Sequence, residues 1–139
     1  MKRRIKLVFF ISCFLMISTS AVASATIIEE PTYGTKAVNY SSASASISFS
    51  DGTATCSGKI RGIAGKTTKT SVHLYLQKYV NGNWINVADW TSSGNTVNRV
   101  LTKTKSVSKG YKYRSKAVCY AYIGSSSEKV TKYSSVVNY

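Results

Sequence analysis

Few side chains in this sequence could carry catalytic chemistry. The chain has one histidine, His73, and five acids, which are Glu29, Glu30, Asp51, Asp89 and Glu128. A hydrolase needs a positioned general base with an orienting partner, and here only His73 with Asp89 or Glu128 could supply that pair. His73 falls in the outward row of its predicted strand, which favours a solvated histidine over a catalytic one. We therefore predict that the protein is not an enzyme and has no catalytic residues.

The sequence also offers no recognisable site for a metal or a cofactor. A zinc site needs three or four ligands, which one histidine and two paired cysteines do not provide. The acids are too scattered for a hard-cation site. The glycines Gly58, Gly62 and Gly65 do not form a phosphate-binding loop, because the position five residues before Gly65 is Ile60 and not the glycine that the motif requires. We expect neither metal nor cofactor.

The N-terminus has the three parts of a secretory signal peptide. Basic residues at positions 2, 3, 4 and 6 precede an apolar run over 7–17 and small residues over 21–25. We predict a signal peptide over 1–25, cleaved after Ala25 or, alternatively, after Ala23, so that the protein is extracellular or attached to the cell surface. The apolar run is too short for a mature membrane anchor. A buried N-terminal helix and lipoprotein processing at Cys13 are the alternatives.

The charge of the chain after that segment is strongly positive. The segment holds 4 of the 19 basic residues and none of the 5 acids, which leaves 15 against 5, or +10. A protein this basic is expected to associate with polyanions. Outside the cell, nucleic acid is a poor candidate, whereas cell-wall phosphopolymers, acidic glycans and anionic membrane surfaces are good ones. The alternative is that the charge serves solubility alone.

Two cysteines remain once Cys13 is removed, and they are Cys56 and Cys119. An exported protein meets conditions that permit disulfides, and two cysteines allow one intrachain pairing. We predict a disulfide between Cys56 and Cys119. Two buried free thiols are the alternative.

Alternation with a period of two residues runs through most of the chain after residue 42. The clearest stretch is 110–124, where Tyr111, Tyr113, Ala117 and Cys119 share one row and basic and aromatic residues share the other. Turn signals such as Asp51-Gly52 and Asn81-Gly82 separate about seven such segments. We predict an all-β, immunoglobulin-like antiparallel β-sandwich over 43–139, after an extended lead over 26–42, with a register break inside 97–107. A five-stranded barrel is the alternative.

The positions of the cysteines and tyrosines resemble those of known sandwich domains. Cys56 falls on the second predicted strand and Cys119 on the sixth, which are the strands bridged in immunoglobulin domains. The stretch 110–114 resembles the start of strand six in fibronectin type III and immunoglobulin-like domains. That resemblance implies a tyrosine corner formed by Tyr111 or Tyr113.

Several motifs in the same order resemble a family of small, uncharacterised exported proteins of Gram-positive bacteria. These are the stretches 75–78, 81–84, 109–114 and 120–124, together with Val87, Trp90 and the pair Ser127-Glu128. The resemblance implies an extracellular setting and an immunoglobulin- or fibronectin III-like domain. It implies no activity.

One binding surface is predicted from the third and sixth strands, because these are neighbours in an immunoglobulin-like sheet. Their outward rows would share a face that carries His73, Tyr75, Tyr79, Lys112, Arg114, Lys116, Tyr120 and Tyr122, with Gln77 among them and Tyr133 joining from the last strand. Tyrosine rings stack on sugars or lie at lipid interfaces, and cations hold phosphate or carboxylate. The alternative is that tyrosine and lysine are merely acceptable on an exposed strand. Trp84 and Trp90 are predicted to pack in the core or the hairpin.

Two functions fit these expectations. The first is a secreted, basic, non-catalytic module that binds an anionic polymer of the cell envelope, a glycan or a membrane surface. The second is a secreted protein–protein interaction factor, such as an adhesin subunit, an inhibitor or a bacteriocin-like toxin. Their dependence on salt separates them, because polyanion binding is screened by salt more strongly than a protein interface is.

Overall fold

The computed structural model describes residues 39–139, and the regular elements of this part of the chain are β-strands. In chain order they are β1 (Tyr40–Ser50), β2 (Thr53–Gly62), β3 (Lys69–Val80), β4 (Asn83–Gly94), β5 (Asn98–Ser106), β6 (Lys112–Ile123), β7 (Ser126–Tyr133) and β8 (Val137–Asn138). These residues contain no helix with the length and hydropathy needed to span a bilayer. The predicted signal peptide and most of the predicted lead lie outside the described residues.

The strands form two antiparallel sheets, which confirms the predicted β-sandwich. One sheet has the order β1-β2-β5, and the other has the order β4-β3-β6-β7, with β8 also paired to β6. Strands β3 and β6 are neighbours, as expected, and Tyr75 lies directly opposite Lys116. The fourth strand pairs with the third, whereas in a constant-type immunoglobulin domain it belongs to the sheet of the first two strands.

The core lies between the sheets and is built from one alternate row of each strand. Its fully buried residues include Ile60 on β2, Leu74 on β3 and Ala117 on β6. The sheets approach most tightly at Gly58, where an added β-carbon would lie 2.9 Å from Cγ1 of Val72 and 3.0 Å from the β-carbon of Ala117. Glycine is needed there because the facing sheet leaves no room for a side chain.

The tyrosine corner is formed by Tyr113 and not by Tyr111. The ring of Tyr113 is 2% exposed, and its hydroxyl donates a 2.8 Å hydrogen bond to the carbonyl oxygen of Ser108, five residues upstream. Burial raises the pKa of the Tyr113 hydroxyl. Tyr111 is 40% exposed. The corner fixes the turn that leads into β6, which positions the outward row of that strand.

The predicted disulfide is absent from the structure, because Cys56 and Cys119 are both free, buried thiols. They lie on strands of facing sheets but are displaced from each other along the strand direction. The sulfur of Cys119 is 3.9 Å from the carbonyl oxygen of Lys59, and Lys59 is three residues beyond Cys56, or about 10 Å along a strand. A disulfide requires β-carbons about 4 Å apart. The alternative of two buried thiols is the arrangement observed.

Two details of the strand register differ from the sequence prediction. No register break occurs in β5, which pairs continuously with β2. The irregularities lie in β4, where Val87 is the extra residue opposite Leu76 and Gln77, and at the start of β1. Strand β1 also begins at Tyr40, three residues before the predicted boundary. The predicted turns are confirmed, with positive φ at Asp51-Gly52 and at Asn81-Gly82.

Polar side chains join the two sheets at their margins. The guanidinium of Arg99 on β5 donates to the carbonyl oxygen of Thr70 on β3 at 3.1 Å and to the hydroxyl of Ser92 on β4 at 2.8 Å. Asn39, buried just before β1, donates its backbone N–H to the Glu128 carboxylate at 2.7 Å. These contacts fix the sheets relative to each other on both sides of the core.

Candidate binding face

The outward row of the β4-β3-β6-β7 sheet is a continuous surface of rings and cations, called here the aromatic–basic face. Residues directly opposite each other in neighbouring strands share a face, so the register defines its membership. Its cations are Lys69, Lys112, Arg114, Lys116 and Lys129, and its rings are His73, Tyr75, Tyr79, Trp84, Tyr120, Tyr122 and Tyr133. Asp89 is its carboxylate, opposite Tyr75. The face is therefore strongly positive.

Arg114 lies at the centre of this face, between two aromatic rings. Its guanidinium carbon is 4.2 Å from the ring centre of Trp84 and 4.3 Å from that of Tyr133. Trp84 comes from β4 and Tyr133 from β7, so one side chain on β6 connects the two outer strands of the sheet. Stacking of this kind is attractive because the ring faces are electronegative.

The orientation of Arg114 is also fixed by a hydrogen-bond relay. Its Nε–H donates to Oε1 of Gln77 at 2.9 Å, and Nε2 of Gln77 donates to Oδ1 of Asn86 at 2.9 Å. Gln77 is buried beneath these contacts. Two rings lie within 4.3 Å of the guanidinium carbon and the relay occupies its Nε, which leaves the terminal N–H groups to bind other ligands.

Next to Arg114, a lysine is held among tyrosines. Lys116 lies directly opposite Tyr75 on one side and Tyr133 on the other, and its amine is 5.5 Å from the centre of the Tyr75 ring. Lys112, Arg114 and Lys116 occupy alternate positions of one strand, which puts them about 7 Å apart in single file. This file of cations runs between aromatic rings on β3, β4 and β7.

The other end of the face is more aromatic. His73 is half-buried, its Nδ1 is 3.2 Å from the hydroxyl of Thr91, and its ring contacts Tyr120 edge-on at 5.8 Å. Tyr120 is followed by Tyr122, over which the amine of Lys69 lies at 5.2 Å. His73 is thus partly packed, which differs from the fully solvated side chain expected from the sequence.

The structure brings all eight sequence-predicted face residues onto one surface, together with Gln77 and Tyr133. Trp84 was expected to pack in the core or hairpin; it packs against Tyr79 across the hairpin, with ring centres 5.2 Å apart, but on the aromatic–basic face. Trp90 packs against the core as expected. The sequence contained the information needed to place Trp84 on this face. The Asn81-Gly82 turn has two residues, so residue 84 lies directly opposite residue 79 and on the same side of the sheet.

Neither of the acidic residues considered for catalysis lies opposite His73 in the sheet. Asp89 lies opposite Tyr75, and the Glu128 carboxylate accepts the backbone N–H of Asn39. Within residues 39–139, no three of His, Cys, Asp and Glu are grouped to hold a metal ion. A cleft of about 130 Å³ lies away from the aromatic–basic face, between Lys78, Val87, Lys105 and Val107.

Comparison with known proteins gives little further guidance. No model of a protein family matches the chain, and no curated protein sequence matches it. Among solved structures, it is similar to the solution structure of R. palustris CsgH, with a TM-score of 0.42 and 14% sequence identity over 66% of this chain and 87% of that chain. A similarity of this size establishes neither a shared fold nor a shared function.

Proposed function

We propose that this protein is an extracellular, non-catalytic module whose aromatic–basic face binds an anionic polymer of the cell envelope. The observation that carries the proposal is the position of Arg114, which is stacked between Trp84 and Tyr133 and oriented by Gln77. The signal-like segment at the N-terminus supports export, and the charge supports a polyanionic ligand.

The packing of Arg114 prepares it to bind an anion. The rings of Trp84 and Tyr133 lie beside the guanidinium and Gln77 accepts its Nε–H, which leaves the terminal edge to match the oxygens of a phosphate or carboxylate in a bidentate arrangement. The neighbouring rings already restrict the side chain, so little conformational entropy is lost when a ligand binds. No carboxylate among the described residues forms an ion pair with it in this arrangement.

The single file of Lys112, Arg114 and Lys116 favours a linear ligand. Successive anionic groups of an extended polymer would meet successive cations along β6. Tyr75 and Tyr133 flank that path and offer rings on which sugar or polyol carbons can pack. Acidic glycans and wall phosphopolymers share this chemistry of repeated anions on a carbon-rich backbone.

A bilayer surface fits the same face less well. Membrane-binding surfaces insert aliphatic or aromatic side chains below the headgroups. The exposed aliphatic residues of the domain lie elsewhere: Ile85 belongs to the core-facing row of β4, Val100 to the three-stranded sheet and Val136 to the segment after β7. Three of the five tyrosines on the face, Tyr75, Tyr122 and Tyr133, already contact cations.

The direct test is binding of the purified protein to a soluble glycerol-phosphate polymer, to an acidic polysaccharide and to vesicles containing phosphatidylglycerol, at low and high salt. We expect binding to at least one soluble polymer at low salt and its loss at high salt. Failure to bind either polymer at low salt would overturn the proposal. Binding only to vesicles would assign the face to membranes, and salt-resistant capture of a protein partner would favour the interaction-factor alternative.

A further inference from the structure

Within residues 39–139, the β1 edge of the three-stranded sheet has no charge, no proline and, from Ser42 to Ser50, no bulge to prevent it from pairing with another strand. Among the described strands, β1 is terminal in its sheet, and its 11 residues include no charge and no proline. Its pairing with β2 is regular from Ser42 to Ser50. Long, regular, uncharged edge strands are templates for another strand.

The other terminal strands of the two sheets are protected. Strand β5 carries Lys103 and Lys105 in its core-facing row, where they would be buried by an added strand. Strand β7 likewise carries two charged residues, Glu128 and Lys132, in its core-facing row. Strand β4 has the bulge at Val87. Inward-pointing charges and bulges are the usual defences of an edge. The irregularity of β1 is confined to its first residues, Tyr40 to Ser42, so the part of the strand from Ser42 to Ser50 has neither defence.

We propose that β1 pairs antiparallel with β1 of a second copy of this chain, around a two-fold axis. The strand alternates serine with Ala43, Ala45, Ile47 and Phe49. A two-fold pairing of this pattern puts serine beside serine on the outer face and apolar residues beside apolar residues on the core side. One hydroxyl pair between strands already occurs on this outer face, where the oxygens of Ser57 and Thr102 are 3.0 Å apart.

Charge favours a second copy at this edge over any other edge. Residues 39–139 carry 14 basic and 3 acidic residues, so two domains repel each other. The outer face beside β1 is lined by uncharged hydroxyls on three strands, namely Ser44, Ser46, Ser48, Ser50, Thr53, Thr55, Ser57, Thr102, Thr104 and Ser106. Lys59 and Arg61 lie at one end of it. Pairing through β1 forms a six-stranded sheet that keeps both aromatic–basic faces open.

The test is the molecular mass of the purified protein in solution, measured by sedimentation over a range of concentrations. We expect a dimer that tightens as salt is raised, because salt screens the repulsion between the two basic domains. The Ser44→Lys/Ser48→Lys variant should be monomeric at concentrations where the original protein is dimeric. The Thr104→Lys/Ser106→Lys variant adds the same charge to exposed positions of β5 and should remain a dimer.

Amide hydrogen exchange locates the contact independently of these variants. Protection of amides within 42–50 should fall when the protein is diluted below its dissociation constant, whereas protection within β5 should not change. A monomer at all concentrations and salt conditions would overturn the proposal. A dimer that survives the β1 lysines and loses no β1 protection on dilution would overturn it as well.

Discussion

The guanidinium of Arg114 lies 4.2 Å from the ring centre of Trp84, so that the start of β4 is held against the middle of the sheet by one stacked pair. Strand β3 lies between β4 and β6, and its residue Gln77 accepts the Nε–H of the same arginine. A single charged side chain therefore contributes both to the cohesion of the sheet and to the candidate binding face.

Replacing Trp84 by alanine should weaken polymer binding more than it weakens the fold. The change removes one of the rings that restrict Arg114, so the arginine loses more conformational entropy when it binds a ligand; immobilising one such side chain costs about 0.5–1.5 kcal/mol, or about a two- to tenfold loss of affinity. Binding isotherms and urea unfolding of the same variant measure the two effects. Trp90→Ala is the control, because Trp90 packs on the core and its loss should cost about 2 kcal/mol or more of stability. Unchanged affinity in the Trp84 variant would show that the contact between Trp84 and Arg114 does not contribute to polymer binding.

Reversing two charges on β6 should abolish polymer binding without unfolding the domain. Arg114→Glu/Lys116→Glu puts carboxylates at the centre of the face, where they repel an anionic ligand. The matched control is Lys103→Glu/Lys105→Glu, which makes the same change of charge on β5, away from the face. Affinity measured at low salt should be lost in the first variant and reduced only slightly in the second. Equal losses in both would mean that net charge alone drives binding.

Alternation and turn chemistry were sufficient to predict much of this fold from the sequence. The Asp51-Gly52 and Asn81-Gly82 turns fix the parity of the strands on either side, so the outward rows of β3 and β6 could be assigned residue by residue. Their pairing followed from the sandwich topology. The membership of the aromatic–basic face was predictable for the same reason.

Contacts that depend on the shift of one sheet along the other, or on side-chain rotamers, were not predictable in this way. Alternation puts Cys56 and Cys119 in the core but does not say how far one sheet is shifted along the other, and that shift prevents the disulfide. The stacking of Trp84 and Tyr133 on Arg114 depends on side-chain rotamers across four strands. The bulge at Val87 also leaves no clear mark in the sequence, because valine fits either row.

Removing the hydroxyl of Tyr113 should destabilise the domain. Tyr113→Phe deletes the bond to the Ser108 carbonyl and leaves that acceptor without its partner, at a cost of about 1–2 kcal/mol. Tyr111→Phe, at an exposed ring two residues away, should change stability by less than about 0.5 kcal/mol. Urea unfolding of both variants measures the difference. Equal effects at the two positions would contradict the assignment of the corner to Tyr113.

Replacing Ser115 by alanine should stabilise the domain. The hydroxyl of Ser115 has no exposed surface, and it makes no hydrogen bond within residues 39–139. A buried polar group without a partner costs about 1–3 kcal/mol, and alanine removes the group while keeping most of its volume. Thermal unfolding should show a higher midpoint for Ser115→Ala. A lower midpoint would show that the hydroxyl has a partner after all.

The two core thiols should make stability fall in alkaline solution. Burial raises the pKa of Cys56 and of Cys119 from the ordinary value of 9.0 to about 11. Between these values the unfolded chain loses thiol protons that the folded chain keeps, so the free energy of unfolding is greatest below about pH 9 and falls as the pH rises towards 11. Urea titrations across this range, compared with a Cys56→Ala/Cys119→Ala variant, measure the effect.

Both thiols should resist a thiol reagent at pH 8 in the folded protein and react once it is unfolded, because a buried thiol with a raised pKa is unreactive. An intact mass two hydrogens below that of the reduced chain, or a pH dependence unchanged by the double substitution, would contradict the free-thiol core.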